Sequence, residues 1–112
     1  MTEVFHITTR DAWEHALEAG EYRSDTLATE GFIHASTREQ VLSTANRFFA
    51  GRDDLLVLRI DVSKLASPLR LELGADVQEL FPHLHGPLNL DAVTGARPLE
   101  PDARGHFTGP ID

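Results

Sequence analysis

A short and almost continuous apolar run, Leu55 to Ile60, most constrains the fold of this chain. A run of this length bounded by polar residues is typical of a buried strand at the centre of a sheet. We therefore expect the other elements to pack around this strand.

The remaining pattern mixes strands and helices without a regular βαβ rhythm. Glu3 to Thr8 predicts the first strand, followed by a helix that Thr8 or Thr9 caps and Gly20 ends. A second helix carries Val41, Ala45, Phe48 and Phe49 on one face, with Ser36 and Glu39 at capping-box spacing before it and Gly51 after it. Further predictions are loops at Glu21 to Glu30 and Phe81 to Pro87, one helical turn at Val62 to Leu65, and strands at Leu69 to Leu73, Leu88 to Leu90, Ala92 to Thr94 and around Phe107.

These elements predict one α+β domain over residues 1–112, with a small split or mixed β-sheet and two main helices. The chain has no cysteine, which excludes disulfides, thiolate metal sites and cysteine nucleophiles. A formal net charge of −8 argues against a nucleic-acid partner. With no apolar run near the roughly 20 residues of a membrane span and no signal peptide, we expect a cytoplasmic protein without a membrane partner.

Two histidines interrupt apolar strands and share a pattern. His6 and His34 are each followed two positions later by a hydroxyl residue, Thr8 and Ser36. An imidazole beside a helix N-terminus suits phosphate binding or acid–base chemistry. We therefore expect a polar site around these two residues.

A third histidine tract, His83-Leu84-His85, lies between Pro82 and Gly86. In an extended segment both rings would face one side and could share a metal, but no spacing in the sequence supplies a third ligand, so we predict no metal site. The residues expected to contact a ligand beside His6, His34 and His83 are Thr8, Ser36, Thr37, Gln40 and Glu72.

Several motifs, in matching order and spacing over nearly the whole chain, resemble the DUF952 family of small bacterial proteins of unknown function. They are Phe5-His6-Ile7-Thr8, Trp13 with Ala16 and Gly20, Gly31 to Thr37 with Gln40, Phe49-Ala50-Gly51, and Phe81 to Leu88. At His85 the family commonly has an aromatic residue.

The resemblance implies an ADP-ribosyltransferase-like fold, in which a cleft grips NAD. Carried onto matching positions, His6 would contact the adenosine ribose, and His34 with Ser36 would belong to the motif that shapes the nicotinamide pocket. The acid that activates ribosyl transfer has no clear match; Glu72 and Glu79 are candidates, or His83 replaces it. NAD is thus implied as ligand or substrate, without a cofactor being assigned.

Three functions remain open from the sequence. The first is a protein that binds NAD or an ADP-ribose-like nucleotide, with ADP-ribosyl transfer as an extension. The second is a non-catalytic binding or interaction module with buried structural histidines. The third, drawn from His6-Ile7-Thr8 and His34-Ala35-Ser36, is a two-histidine phosphoesterase. Whether the chain is an enzyme is undecided among them.

Overall fold

The computed structural model describes residues 1–74 and 78–111. In these ranges the strands form three antiparallel sheets, with the orders β1-β4-β8, β2-β7 and β3-β6-β5. The elements are β1 (Glu3–Thr9), α1 (Arg10–Ala19), β2 (Glu21–Tyr22), α2 (Asp25–Thr29), β3 (Ile33–His34), α3 (Val41–Phe48), β4 (Leu55–Asp61), β5 (Leu69–Leu73), β6 (Leu80–Leu84), β7 (Leu88–Asn89) and β8 (Val93–Leu99). The α+β class is confirmed, but with three antiparallel sheets instead of one split or mixed sheet, and with a third, short helix.

The predicted central strand is confirmed as β4, which lies between β1 and β8. Its two faces enter different parts of the core. Val57 packs in a cluster with Val41 and Ala45 of α3, and Leu58 packs in another with Ala16 of α1. Helices α1 and α3 therefore cover opposite faces of this sheet, which explains why the run is apolar at almost every position.

Helix α1 begins and ends where the sequence predicts. The Thr9 side chain accepts a hydrogen bond from the Ala12 N–H at 3.1 Å, and Gly20 follows the helix with φ of 90°. A side-chain cap and a left-handed glycine satisfy backbone groups that a helix leaves unpaired. None of the helices in the described ranges is long and apolar enough to cross a membrane.

The loop predicted for Glu21 to Glu30 is wrong. Tyr22 is buried and pairs with Leu88 in the two-stranded sheet β2-β7, and α2 follows directly. Both elements depend on contacts with distant residues, so a local pattern of polar residues gave no signal for them.

The capping box predicted at Ser36 and Glu39 is also wrong. The Phe5 N–H donates to the Ser36 carbonyl at 2.8 Å, and the Ser36 N–H donates to the Phe5 carbonyl at 2.7 Å. This bridge to β1 keeps Ser36 out of the helix, and α3 begins only at Val41, with Gln40 as its N-cap. Ser36 therefore does not present the helix N-terminus that an anion site requires.

The constrained loop predicted for Phe81 to Pro87 is instead largely strand β6, Leu80–Leu84. Pro82 is tolerated within it because of where its backbone faces. Its carbonyl accepts a hydrogen bond from the Ala35 N–H at 3.0 Å, just beyond the end of β3 at His34. The backbone of Pro82 therefore faces β3 where its pairing with β6 ends, so the absent N–H removes no hydrogen bond within the β3-β6 ladder. The hydrogen bonds between β6 and β5 are unaffected.

No strand forms around Phe107 in the described C-terminal segment. The Phe107 side chain is buried, and its backbone bonds to a side chain instead of a strand. Its N–H donates to Asn46 Oδ1 at 2.7 Å, and its carbonyl accepts from Asn46 Nδ2 at 3.0 Å. One asparagine of α3 thus replaces the predicted edge pairing.

The other predicted strands and the helical turn are found near their expected positions. Strand β5 has the predicted bounds, the turn covers Val62–Lys64, and β8 extends the predicted short strand to Leu99.

Gly86 offers a test of the turn that follows β6. Its φ is 153°, and a Cβ added there would lie 2.4 Å from Ser67 Oγ and 2.8 Å from Ser67 Cβ. Gly31 is the comparison, because its φ is also positive, at 88°, but an added Cβ would meet no atom within 4 Å. We expect Gly86→Ala to lower the free energy of unfolding by about 2–4 kcal/mol and Gly31→Ala by about 1–2 kcal/mol. Urea denaturation of both variants measures the difference, and equal losses would contradict this description of the turn.

Candidate functional site

His6 is buried at the junction of three sheets. Its Nδ1 lies 2.5 Å from the carbonyl oxygen of His34 in β3, and its Nε2 lies 2.7 Å from the Tyr22 hydroxyl in β2. The same hydroxyl oxygen lies 2.9 Å from Thr8 Oγ1. Thr8 and His6 are neighbours on one face of β1, which explains the two-residue spacing seen in the sequence.

Burial lowers the pKa of His6 from its usual 6.5 to about 4. The imidazole is therefore neutral at pH 7 and carries one N–H. Since a carbonyl oxygen can only accept, Nδ1 donates to His34 and Nε2 accepts from Tyr22. Both ring nitrogens are then bonded within the protein, so this imidazole is not available to a ligand in this arrangement.

The shifted pKa of His6 predicts how stability depends on pH. Between pH 6.5 and about 4 the unfolded chain binds this proton more readily than the folded chain, so acidification through this window destabilises the fold. The full loss from this group is about 3 kcal/mol, and above about pH 7.5 the group contributes almost no slope.

Urea unfolding at several pH values, for the wild type and for His6→Gln, measures this contribution. The variant is less stable overall but lacks the His6 part of the slope. An identical slope in wild type and His6→Gln would contradict the assignment.

A second group of polar side chains lies on the sheet β3-β6-β5. Glu72 of β5 accepts through one oxygen, Oε1, from two imidazoles: His85 Nε2 at 2.7 Å and His83 Nδ1 at 2.9 Å. Hydrogen bonds from His85 and then from His83 hold the pKa of Glu72 below its usual value, so this carboxylate is ionised at neutral pH. The extended segment places both rings on one side, as the sequence suggests for a strand, and they share a carboxylate.

His83 has one nitrogen without a partner. Its side chain is 4% exposed, and Nδ1 donates to the Glu72 carboxylate. Nε2 is buried and has no hydrogen-bond partner among the described residues. Leaving a buried polar atom unpaired costs about 1–3 kcal/mol, so an external donor at Nε2 would be favourable.

Aromatic rings pack around the His83 ring. Phe32 stacks on His83 with ring centroids 4.1 Å apart and an interplanar angle of 17°. The His34 ring lies 5.2 Å from the His83 ring and 4.8 Å from the Phe32 ring, and the His85 ring lies 5.4 Å from Phe32. His34 is exposed and contacts Glu30 Oε1 at 3.2 Å. We call Phe32, His34, Glu72, His83 and His85 the imidazole face.

The structure divides the predicted site residues between several places. His34, His83 and Glu72 meet on the imidazole face, while His6 and Thr8 lie in the buried network behind it. Ser36 is buried, with its Oγ 3.5 Å from Thr44 Oγ1.

Thr37 and Gln40 hydrogen-bond to each other, and Gln40 also bonds to the start of β6, instead of contacting the histidines. The Thr37 N–H donates to Gln40 Oε1 at 3.0 Å, and Gln40 Nε2 donates to Glu79 Oε2 and to the Leu80 carbonyl, both at 2.8 Å. Glu79, a candidate for the activating acid, is therefore tied to the start of β6 and not to an imidazole.

The sequence does not predict three residues that belong to the buried network or the imidazole face: Tyr22, Phe32 and His85. Tyr22 lies in a segment predicted to be a loop, Phe32 lies within a motif of the family resemblance without a role of its own, and His85 is not among the predicted site residues. Only the alternation of His83 and His85 gave a usable signal. The contacts of Tyr22 and Phe32 join residues far apart in the sequence.

The surroundings limit what this face can bind. In the described ranges no group of three His, Asp or Glu side chains has the geometry of a metal site. Two surface depressions lie elsewhere, one lined by Thr2, Glu3, Arg59, Asp61 and Thr94 and one beside Leu99 and Ile111.

Comparison with known proteins agrees with the motifs. Residues 7–96 match the family described as "Protein of unknown function (DUF952)". The chain belongs to the DUF952 family. No curated protein matches it.

The same fold occurs in solved structures similar to this DUF952 chain. The crystal structure of protein CC0527 from Caulobacter crescentus is 32% identical, with a TM-score of 0.85 and coverage of 96% of this chain and 94% of that chain. The solution NMR structure of CC0527 is 34% identical, with a TM-score of 0.81 and coverage of 95% and 91%. The family and structure descriptions name no ligand or activity.

Proposed function

We propose that this DUF952 chain binds a small nucleotide-like molecule at the imidazole face. The unpaired, buried Nε2 of His83 is the observation that carries the proposal, since a ligand hydroxyl would supply the missing donor. Glu72 fixes the ring by accepting from Nδ1, so the lone pair of Nε2 is oriented before a ligand arrives.

The nucleoside part of such a ligand fits this face better than its phosphates. Phe32 and His34 offer rings for contact with a planar base, and a ribose hydroxyl is the type of donor that His83 lacks. Glu30 and Glu72 place carboxylates beside the rings, which oppose a pyrophosphate. NAD and ADP-ribose, the ligands implied by the ADP-ribosyltransferase-like resemblance, both contain this nucleoside part.

The pair of Glu72 and His83 also has the geometry for acid–base chemistry. Nε2 can take a proton from a bound hydroxyl, and the carboxylate at Nδ1 stabilises the imidazolium that results. ADP-ribosyl transfer would use such a base, but binding does not require it. The proposal is therefore a binding function, with transfer as a step to be tested after binding.

His6 has a positioning role in this proposal. Its Nδ1 fixes the carbonyl of His34, and its bonded nitrogens leave none for a phosphate. The two-histidine phosphoesterase requires His6 and His34 to act on one phosphate, so this geometry favours it less. The buried network itself favours a structural role for His6, as in the non-catalytic alternative.

NMR titration of the ¹⁵N-labelled chain tests the proposal. Adenosine, ADP-ribose and NAD, each at millimolar concentration, should shift the signals of Phe32, His34 and His83, and ribose 5-phosphate should shift them less. His83→Gln keeps a polar side chain but loses the oriented Nε2, and it should weaken adenosine binding about tenfold, as expected for one buried hydrogen bond.

His15→Gln is the matched control, because it makes the same change on the exposed surface of α1 and should bind as the wild type does. The proposal fails if none of the three nucleosides or nucleotides perturbs the imidazole face, or if His83→Gln and His15→Gln bind equally.

A further inference from the structure

Strand β5, Leu69–Leu73, lies at an open edge. It is the last strand in the order β3-β6-β5, and its side chains alternate between leucine and charge: Leu69, Arg70, Leu71, Glu72, Leu73. Leu71 and Leu73 are 51% and 61% exposed, and Leu80 in the adjoining part of β6 is 50% exposed. An exposed apolar edge strand is a site for pairing with another strand.

The register shows which backbone groups of β5 are free. The Pro82 carbonyl faces β3, because it accepts from the Ala35 N–H, so its neighbours Phe81 and His83 face β5. They pair there with Glu72 and Arg70. His85 N–H to the Pro68 carbonyl and Gly74 N–H to the Glu79 carbonyl continue the same alternation.

It follows that Leu69, Leu71 and Leu73 direct their N–H and C=O groups away from β6. In the described part of the chain, none of these groups has a hydrogen-bond partner. The open edge therefore offers three residues in the correct spacing for an antiparallel partner.

The sequence of β5 places opposite charges across from each other when the strand pairs antiparallel with a second copy of itself. If two copies pair antiparallel about Leu71, then Leu71 meets its equivalent, Leu69 meets Leu73, and Arg70 meets Glu72 twice. Arg70 and Glu72 then form non-hydrogen-bonded pairs, in which side chains are closest, with Cα atoms about 4.5 Å apart. Centring the pair on Arg70 or Glu72 instead would oppose like charges.

We propose that the chain forms a symmetric dimer by antiparallel pairing of β5 with β5 of a second copy. The two three-stranded sheets become one six-stranded sheet, and the exposed leucines of each copy pack against those of the other. Natural edge strands often carry charges that block pairing, but here the opposite signs of Arg70 and Glu72 favour self-pairing in one register.

The side chain of Glu72 is prepared for this contact. Both of its imidazole partners use Oε1, and Oε2 has no partner among the described residues. Arg70 is exposed and forms no ion pair in the same part of the chain. Arg70 of the second copy would thus reach Oε2 beside the imidazole face. The dimer stands on the geometry of β5 and does not depend on the proposed ligand.

Sedimentation velocity tests the dimer. A five-residue strand pair is a small interface, so we expect association that rises with concentration between about 1 µM and 1 mM, towards twice the 12.4 kDa of one chain. Arg70→Glu and Glu72→Arg, each alone, oppose like charges at both pairs and should weaken dimerisation about tenfold or more.

An equimolar mixture of Arg70→Glu and Glu72→Arg should regain the dimer, because every opposed pair is then of opposite sign. The same exchange at exposed positions outside β5, Arg104→Glu mixed with Glu14→Arg, should leave each variant dimerising as the wild type does. Circular dichroism confirms that each variant is folded.

Amide exchange supplies a readout that needs no substitution. The Leu71 N–H should exchange fast in dilute protein, and its exchange should become slower as the protein concentration rises. The Glu72 N–H, which is bonded to β6, should be protected from exchange at every concentration. A chain that stays monomeric up to about 1 mM, or a dimer that survives both charge reversals without change, would overturn the proposal.

Discussion

The hydrogen bonds of one buried imidazole join the three sheets of this protein. His6 belongs to β1, donates to the carbonyl of His34 in β3, and accepts from Tyr22 in β2. Strands β2 and β3 each pair over only two residues within their own sheets, which is too little to fix their positions alone. Burial keeps the ring neutral, so only one nitrogen donates, and the carbonyl acceptor beside Nδ1 makes this nitrogen the donor. Together with the Phe5–Ser36 bridge, these hydrogen bonds set how the sheets are placed relative to one another.

The imidazole face follows from this arrangement. With its carbonyl held by His6, His34 lies opposite His83 in the β3-β6 register, and the two rings come within 5.2 Å. Pro82 ends the β3 ladder next to them, and β5 brings Glu72 to His83 from the other side. A structural histidine thus supports a second histidine whose Nε2 is left free. The first residue contributes to stability and the second is the one we expect to meet a ligand.

Local patterns in the sequence predict the parts of this fold that depend on local physics. The apolar run of β4 and the cap of α1 at Thr9 are of this kind, because burial on both faces and unpaired helix N–H groups leave direct traces in composition. The capping box predicted at Ser36 and the loop predicted around Pro82 are wrong for the opposite reason. Long-range backbone bonds, from Ser36 to Phe5 and from Pro82 to Ala35, override the preferences of a capping residue and of a proline. The candidate site was predictable only as a set of histidines, since Tyr22 joins His6 through tertiary packing alone.

His6 and His83 are both held as Nδ1–H imidazoles, one by a carbonyl and the other by a carboxylate. Long-range ¹H–¹⁵N NMR of the imidazole rings at about pH 8, where an ordinary histidine is neutral, measures this directly. We predict protonated Nδ1 and unprotonated Nε2 for both residues, and a loss of this preference at His83 alone in Glu72→Gln. Finding the proton on Nε2 of either residue in the wild type would contradict the account.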